Sequence, residues 1–99
     1  MSAQMEKTGN EAPARDDVRA KFAEEGLSPH TWSNEPNYEY GWHSHGYHKV
    51  LYCVSGSIVF HTNDGDFPLE PGDRLDVEPG TDHAATVGPD GVECMEAAR

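Results

Sequence analysis

Turn signals recur about every ten residues through the second half of this chain and divide it into short segments. Asp-Gly within "NDGD" (63–66) fits a two-residue hairpin turn, and "EPGD" (70–73), "EPGTD" (78–82) and "GPDG" (88–91) follow it. The segments "HKVLYCV" and "SIVFHT", joined through "SG", are rich in the β-branched and aromatic residues of strands. Many short strands at regular spacing predict an all-β sandwich or barrel. Further strands are expected at 67–70, 74–78, 83–87 and 91–96.

The region before these strands has a different character. Its first residues show no apolar pattern and are predicted to be disordered. "PARDDVRAKFAEEGL" then predicts one short helix, with Pro13 in the first turn, Val18 and Phe22 as an apolar stripe, and Gly26 at its end. A chain of 99 residues forms one main domain. The predicted organisation is a disordered tail over 1–12, a helix and loop over 13–37, and a β-barrel domain over 38–99.

Composition excludes some classes of partner. The formal net charge is −11 and only seven scattered basic residues are present, whereas nucleic-acid binding needs clustered Lys and Arg. The acidic surplus is typical either of adaptation to high salt or of an ordinary acidic protein, and both alternatives remain open. No apolar run is long enough to span a membrane, and the polar N-terminus shows no signal-peptide pattern. A cytoplasmic protein without a membrane partner is therefore expected.

The two cysteines, Cys53 and Cys94, are isolated from each other in the sequence. There is no CxxC pair, which argues against a zinc ribbon or a thioredoxin-like redox motif. Without an export signal, both are expected to be reduced, mostly buried thiols that act as small apolar side chains.

Half of the six histidines lie in "GWHSHGYHK" (41–49). His43 and His45 are two residues apart, so on an extended strand both imidazoles lie on one face and can converge on one ion. His83 follows a tight turn in "PGTDH" and offers a third ligand. Neutral imidazole binds zinc, iron, nickel and copper, and three protein ligands leave a coordination position open. The residues alone also permit a metal-free site, with these histidines as polar groups at a barrel mouth.

Residues 43–56, "HSHGYHKVLYCVSG", and 72–83, "GDRLDVEPGTDH", resemble the two signature motifs of the cupin family. The first motif reads His, any residue, His, three or four residues, Glu, six residues, Gly. The second reads Gly, five residues, Pro, any residue, Gly, two residues, His, three residues, Asn. The matching positions are His43, His45, Gly56, Gly72, Gly80 and His83.

The resemblance covers about residues 38–96 and implies a small single-domain cupin of the RmlC-like type, a double-stranded β-helix or jelly-roll barrel. It also implies that His43, His45 and His83 bind a divalent transition metal, which could be Zn, Fe, Mn, Ni or Cu. The sequence departs from the motifs at four positions. In the first motif, Lys49 occupies the position of the glutamate ligand, and Asn37 replaces the glycine ahead of the motif. In the second motif, Glu78 occupies the proline position, with Pro79 one residue later, and Val87 occupies the asparagine position.

Lys49 is the most consequential departure, because a protonated lysine cannot ligate and repels a dication. Three interpretations remain open. Alternation with the histidines turns Lys49 inward, where it could bind an anionic substrate. Burial beside an ion could lower its pKa, so that it acts as a base. Its stem could instead lie in the barrel wall with the ammonium in water.

Two neighbours could take the place of the missing glutamate. Tyr47 has the parity to face the metal and is, with Lys49, a candidate catalytic residue. His48 has the wrong parity unless Gly46 forms a bulge, and it is a possible fourth ligand. Water is the remaining alternative.

Other residues carry weaker predictions. His61 and His30 are expected to be ordinary surface histidines. The aromatic cluster before His43 could stack a ligand, pack in the core or form a dimer contact; it comprises Trp32, Tyr38, Tyr40 and Trp42. Residues expected to line the barrel interior are Leu51, Cys53, Val59, Leu75, Val77 and Ala85.

Two functional hypotheses follow. The first is a metal-dependent enzyme of oxygenase or isomerase type that acts on a small oxygen-bearing molecule, an activity implied by family analogy. The second is a non-catalytic cupin module that binds or senses a small ligand, which the missing glutamate favours. Because the edge strands of so small a barrel need covering, a homodimer is also expected.

Overall fold

The computed structural model describes residues 2–7 and 15–99. It contains seven strands and one helix in the order β1 (Ala3–Glu6), α1 (Arg15–Glu24), β2 (His30–Asn34), β3 (Glu39–His43), β4 (Lys49–Thr62), β5 (Gly65–Leu69), β6 (Arg74–Val77) and β7 (His83–Ala98). The predicted all-β fold with one short helix before the barrel is confirmed. None of the described residues form a helix that is both long and apolar enough to cross a membrane.

All strand pairs are antiparallel, and β4 and β7 form the centre of the sheet. The order along the sheet is β1-β6-β4-β7-β2, while β3 also pairs with β7 and β5 also pairs with β4. The long pairing of β4 with β7 runs from Lys49 opposite Ala98 to Thr62 opposite His83. Each long strand carries bulges and pairs with three other strands, β4 with β5, β6 and β7, and β7 with β2, β3 and β4. The sheet therefore curls around an apolar interior.

The first half of β4 is buried on both faces. Leu51 and Cys53 point into the barrel interior, while Val50 and Tyr52 point to the opposite face and pack under α1. This follows from the period of two in a strand, which sends successive side chains to opposite faces. Lys49 shares the parity of Leu51, so the same alternation turns it toward the interior.

Gly56 lets β4 continue where two strands were predicted. It has φ of +73°, a conformation that only glycine adopts readily, and the ladder with β7 shifts register on both sides of it. The bulged region reverses the parity of the strand, so that Ile58 and Phe60 enter the interior. Val59, predicted to line the interior, is only partly buried, and that prediction is wrong.

Strand β7 is also continuous where a turn was predicted. Gly88 and Gly91 lie within it, where the chain passes close to neighbouring backbone and to Ser57. A Cβ on Gly91 would lie 3.0 Å from the carbonyl oxygen of Asn34. These glycines therefore bend one strand rather than separate two.

The helix forms as its pattern predicted. Val18 and Phe22 are buried, and the Phe22 ring meets Tyr52 edge-on at 5.3 Å between centroids. The backbone N–H of Leu27 donates to the carbonyl of Phe22 at 2.9 Å, and Gly26 closes the helix with φ of +73°. Pro13, predicted to lie in the first turn, is outside the described residues.

Two segments differ from the prediction. Ala3–Glu6, assigned to a disordered tail, forms a strand paired with β6, and residues 8–12 of that tail lie outside the described part. His30–Asn34, assigned to a loop, forms β2 against the end of β7. Both strands are short and gain their hydrogen bonds from partners about sixty to seventy residues away. Local patterns do not contain such pairings.

Candidate metal centre

Strand pairing places His43 and His83 directly opposite each other. His43 is the last residue of β3 and His83 is the first residue of β7, and the two are Cα partners in the ladder between these strands. His83 also faces Thr62 of β4 on its other side. Two motifs forty residues apart in the chain therefore meet at one end of the barrel.

His45 reaches the same place from the loop between β3 and β4. The chain leaves the extended conformation after His43, so His45 is positioned by the turn of the second motif. The backbone N–H of Gly80 donates to the carbonyl of His45 at 2.8 Å. The Glu78–Gly80 turn thus fixes both the start of β7 and the loop that carries His45.

The three imidazoles form one compact group. A ligating nitrogen from each of His43, His45 and His83 lies within 4.8 Å of the others. The ring centroids are 4.9 Å apart for His43 and His45, 4.3 Å for His43 and His83, and 5.3 Å for His45 and His83. The structure brings together the three histidines that the sequence singled out, close enough to form a group that could hold one ion.

Hydrogen bonds orient two of the rings. The Nδ1–H of His43 donates to the carbonyl of Gly41 at 2.7 Å, and the Nδ1–H of His83 donates to the carbonyl of Thr81 at 2.9 Å. A carbonyl oxygen can only accept, so each bond leaves Nε2 as a free lone pair. The Nε2 atoms of His45 and His83 are buried and have no hydrogen-bond partner among the described residues. Buried nitrogen lone pairs without a hydrogen-bond partner are suited to coordinate a metal ion.

The surroundings favour neutral imidazoles. Burial lowers the pKa of His83 and outweighs the opposite effect of its bond to Thr81, and the charge of Lys49 lowers it further, as would a proton on His43. Burial also lowers the pKa of His45, followed by the charge of Lys49. Only the neutral ring can bind a cation, so both shifts act in favour of ligation.

Lys49 points into the site rather than outward. It is 7% exposed, its Nζ lies 3.3 Å from Oε1 of Glu96, and it lies over the Phe60 ring at 5.8 Å from the centroid. The interpretation in which the ammonium lies in water is therefore wrong. The parity shared with the interior residues Leu51 and Cys53 explains the inward direction.

Glu96 is the residue that sequence reasoning missed. Its Oε1 accepts a hydrogen bond from Nε1 of Trp32 at 2.6 Å and pairs with Lys49, and its Oε2 lies 3.9 Å from Nε2 of His30. A signal was present, because Val92, Cys94 and Glu96 alternate along β7 and the first two belong to the interior. A carboxylate on an apolar strand face predicts a buried partner of opposite charge.

A cavity of about 280 Å³ connects the histidines with this ion pair. Two of the three histidines, His43 and His45, line it together with Lys49 and Glu96. The rest of its lining is His30, Trp32, Tyr40, Phe60 and Ala85. Of the predicted aromatic cluster, Trp32 and Tyr40 thus line the cavity, whereas Tyr38 and Trp42 are exposed.

The other candidates lie outside the group of three histidines that could hold an ion. His48 lies 3.3 Å from a carboxylate oxygen of Asp76 and borders a different pocket, so the structure does not bring it to the site. Tyr47 stacks on the ring of His45 at 5.0 Å and is 39% exposed. His61 bonds to Asp66 and Thr86. Neither Tyr47 nor His48 replaces the glutamate in the cavity.

Comparisons with known families and solved structures agree with the fold. The family model described as "Cupin domain" matches residues 27–95. A search of curated proteins found no match. An RmlC-like cupin from Shewanella frigidimarina is 25% identical, with a TM-score of 0.65, over 73% of this chain and 64% of that one.

Two further solved structures extend the comparison. A chain from the crystal structures of the DMSP lyases RdDddP and RnDddQII is 30% identical, with a TM-score of 0.63, over 74% of this chain but only 37% of that one. A DUF861 family protein from Thermotoga maritima, 17% identical, shares the fold over 99% of this chain and all of its own, with a TM-score of 0.67. The predicted jelly-roll barrel is confirmed by these matches.

Proposed function

Because this chain belongs to the cupin domain family, we propose that it is a small metal-binding cupin in which His43, His45 and His83 hold one divalent transition ion. The observation that carries the proposal is the pair of buried Nε2 atoms, on His45 and His83, without a hydrogen-bond partner among the described residues. An unsatisfied buried polar atom costs about 1–3 kcal/mol. Coordination to a cation would remove that cost.

The donor set limits the ion. Three neutral nitrogen donors suit Zn, Fe, Ni or Cu, and they suit Mn less well because manganese prefers oxygen donors. When bound, such an ion supplies a Lewis acid with open coordination positions. The chain supplies the rest: Gly41 and Thr81 orient the rings, and the cavity wall encloses an organic molecule beside them.

We propose an enzyme that acts on a small oxygen-bearing molecule, of the oxygenase, isomerase or lyase classes. The cavity has a volume of about 280 Å³, close to the lower end of the range for small-molecule pockets, about 300 Å³, so it suits a small ligand. The similarity to the DMSP lyases, which act on a small molecule, supports this class, although this chain spans 37% of the matched lyase chain. Lys49 is the candidate catalytic side chain inside the cavity, and Tyr47, which stacks on the His45 ring, is a second candidate.

A non-catalytic ligand-binding module is the second candidate. It is favoured by the pairing of Lys49 with Glu96, which holds the two charged side chains of the cavity against each other instead of leaving one free as a base. Turnover of a bound small molecule, followed by product analysis, separates the two functions.

The test of the metal site is elemental analysis of untagged protein. We expect near-stoichiometric metal in the wild type and loss of at least nine-tenths of it in the double variant His43→Ala/His83→Ala. His61→Ala is the matched control, because it removes another imidazole outside the site and is expected to retain the metal. His48→Ala tests the predicted fourth ligand and is expected to retain the metal as well. Unchanged metal in the double variant would disprove the ligand assignment.

Two further expectations stay predictions. A homodimer is supported by the short edge strands β1 and β2, which terminate the sheet in the described part of the chain. Sedimentation velocity measures the oligomeric state directly. The cytoplasmic location is tested by cell fractionation.

A further inference from the structure

The cavity contains charged groups that the metal site does not use. Lys49 lies in the glutamate position of the family motif, and Glu96 enters the same cavity from β7. Both side chains are mostly buried, at 9% and 12% exposure. A buried charged pair is costly to maintain unless it makes further favourable contacts. Glu96 has such a contact in the Trp32 indole N–H, and Lys49 has one in the Phe60 ring. A ligand beside the histidines would add a hydrogen bond to the Lys49 ammonium.

The charges of the site leave an excess that a ligand can neutralise. Lys49 and Glu96 cancel each other, and the three histidines are neutral when they ligate, so an added dication leaves a formal charge of about +2. Aromatic and apolar groups, including Phe60 and Tyr40, form much of the remaining wall and reduce screening by water. An anionic ligand is therefore favoured over a neutral one of the same shape.

The ion pair has donor capacity for such a ligand. An ammonium carries three N–H donors, and Glu96 Oε1 at 3.3 Å can engage only part of this capacity. Glu96 is itself held by the Trp32 indole N–H at 2.6 Å. The ammonium is thereby kept on the wall of the cavity that His43 and His45 also line.

We infer that Lys49 is the specificity-determining residue of this cavity and selects a small organic carboxylate, which lies between the Lys49 ammonium and the three histidines with its carbon body against Trp32 and Phe60. Glu96 is a positioning residue that keeps the ammonium in place. This inference rests on the proposed metal site and adds the charge and chemical class of the ligand.

The test compares lactate with lactamide, which have nearly the same shape but differ in charge. Isothermal titration calorimetry measures both affinities on the zinc-loaded protein, and the zinc content of each sample is measured in parallel. The wild type is expected to bind lactate at least tenfold more tightly than lactamide. Lys49→Met is expected to weaken lactate binding about tenfold to a hundredfold, as for loss of one hydrogen bond to a charged group, while zinc content stays unchanged.

A second variant keeps the test decisive if Lys49→Met folds poorly. Lys49→Met/Glu96→Gln removes both charges, leaves the net charge of the protein unchanged and keeps an oxygen acceptor for Trp32. It is expected to lose the same preference for lactate. Lys21→Met is the matched control, because Lys21 of α1 lies over the Tyr52 ring on the face of β4 opposite the cavity, and it is expected to leave both affinities unchanged.

The outcomes separate the inference from the proposed function. If zinc binds but lactate and lactamide bind equally, or if both Lys49 variants keep the wild-type preference, the inference is overturned and the metal site stands. If the wild type binds no zinc or other divalent metal, the proposed function is overturned. The same titrations on chelator-treated protein then decide whether Lys49 alone confers the preference, and equal affinities there would overturn the inference too.

Discussion

Lys49 and Glu96 place two opposite charges side by side in one cavity. The cupin motif has a carboxylate at the position of Lys49, and here the carboxylate comes from Glu96 on the neighbouring strand. Glu96 lies opposite Leu51 in the ladder between β4 and β7, and Leu51 is two residues after Lys49 in β4. The Glu96 side chain therefore enters the cavity close to Lys49. The barrel thus has a carboxylate inside, on Glu96, and an ammonium, on Lys49, at the position where the motif has its glutamate ligand.

The stability of the metal-free protein is expected to reveal this coupling. Glu96→Gln should lower the free energy of unfolding by about 1–3 kcal/mol, because it leaves the Lys49 ammonium buried without an opposite charge. Lys49→Met/Glu96→Gln should recover most of that loss, since replacing both members of a buried pair is often nearly neutral. Urea unfolding of the four proteins in the double-mutant cycle measures the coupling. Additive effects within about 0.5 kcal/mol would show that the two side chains do not interact.

Among the strands and turns, the glycines of the long strands determine where side chains point. Gly56 reverses the parity of β4, so that Cys53 and Ile58 both reach the interior although they are five residues apart. A Cβ on Gly56 would lie 2.0 Å from the carbonyl oxygen of Gly91 on the facing strand. The bulge and the close approach of β4 and β7 therefore depend on one another.

Gly56→Ala is expected to lower the free energy of unfolding by about 2–5 kcal/mol, from backbone strain at positive φ together with the backbone overlap. Gly26→Ala is the matched control, because Gly26 has the same φ of +73° but no atom within 4 Å of the added Cβ. It should cost only about 1–2 kcal/mol. Equal losses in chemical denaturation would show that the contact with Gly91 is relieved by small shifts.

The interior formed by β4 and β7 encloses both cysteines. Cys53 and Cys94 are Cα partners in the ladder, are 0% exposed and are free thiols. A hydrogen bond with Cys53 and burial raise the pKa of Cys94. Both effects suppress the thiolate that reacts with thiol reagents.

We therefore expect the native protein to resist alkylation at both positions and to react at both once it unfolds. The measurement is the rate of labelling by iodoacetamide, resolved by mass spectrometry, in native buffer and in rising concentrations of urea. The labelling should follow the global unfolding transition, since both thiols lie in the central strands. Rapid labelling of either cysteine in native buffer would contradict this expectation.

Much of the candidate site could be predicted because its information is local. His43 and His45 lie two residues apart, and the Pro-Gly turn lies immediately before His83. The helix could be predicted too, since its apolar stripe and closing glycine are close neighbours in the chain. Turn residues and strand composition gave the fold class for the same reason.

The sequence by itself determined the all-β architecture, the short helix and the three histidines as a candidate metal group. Only the tertiary structure decided that Lys49 points inward, that Glu96 meets it, and that β1 and β2 are strands. The physical reason is that each of these depends on a partner more than forty residues away, or on the register of the strands that carry it. Register is fixed by packing and bulges across the whole barrel, and a shift of one residue would turn the same side chains to the other face.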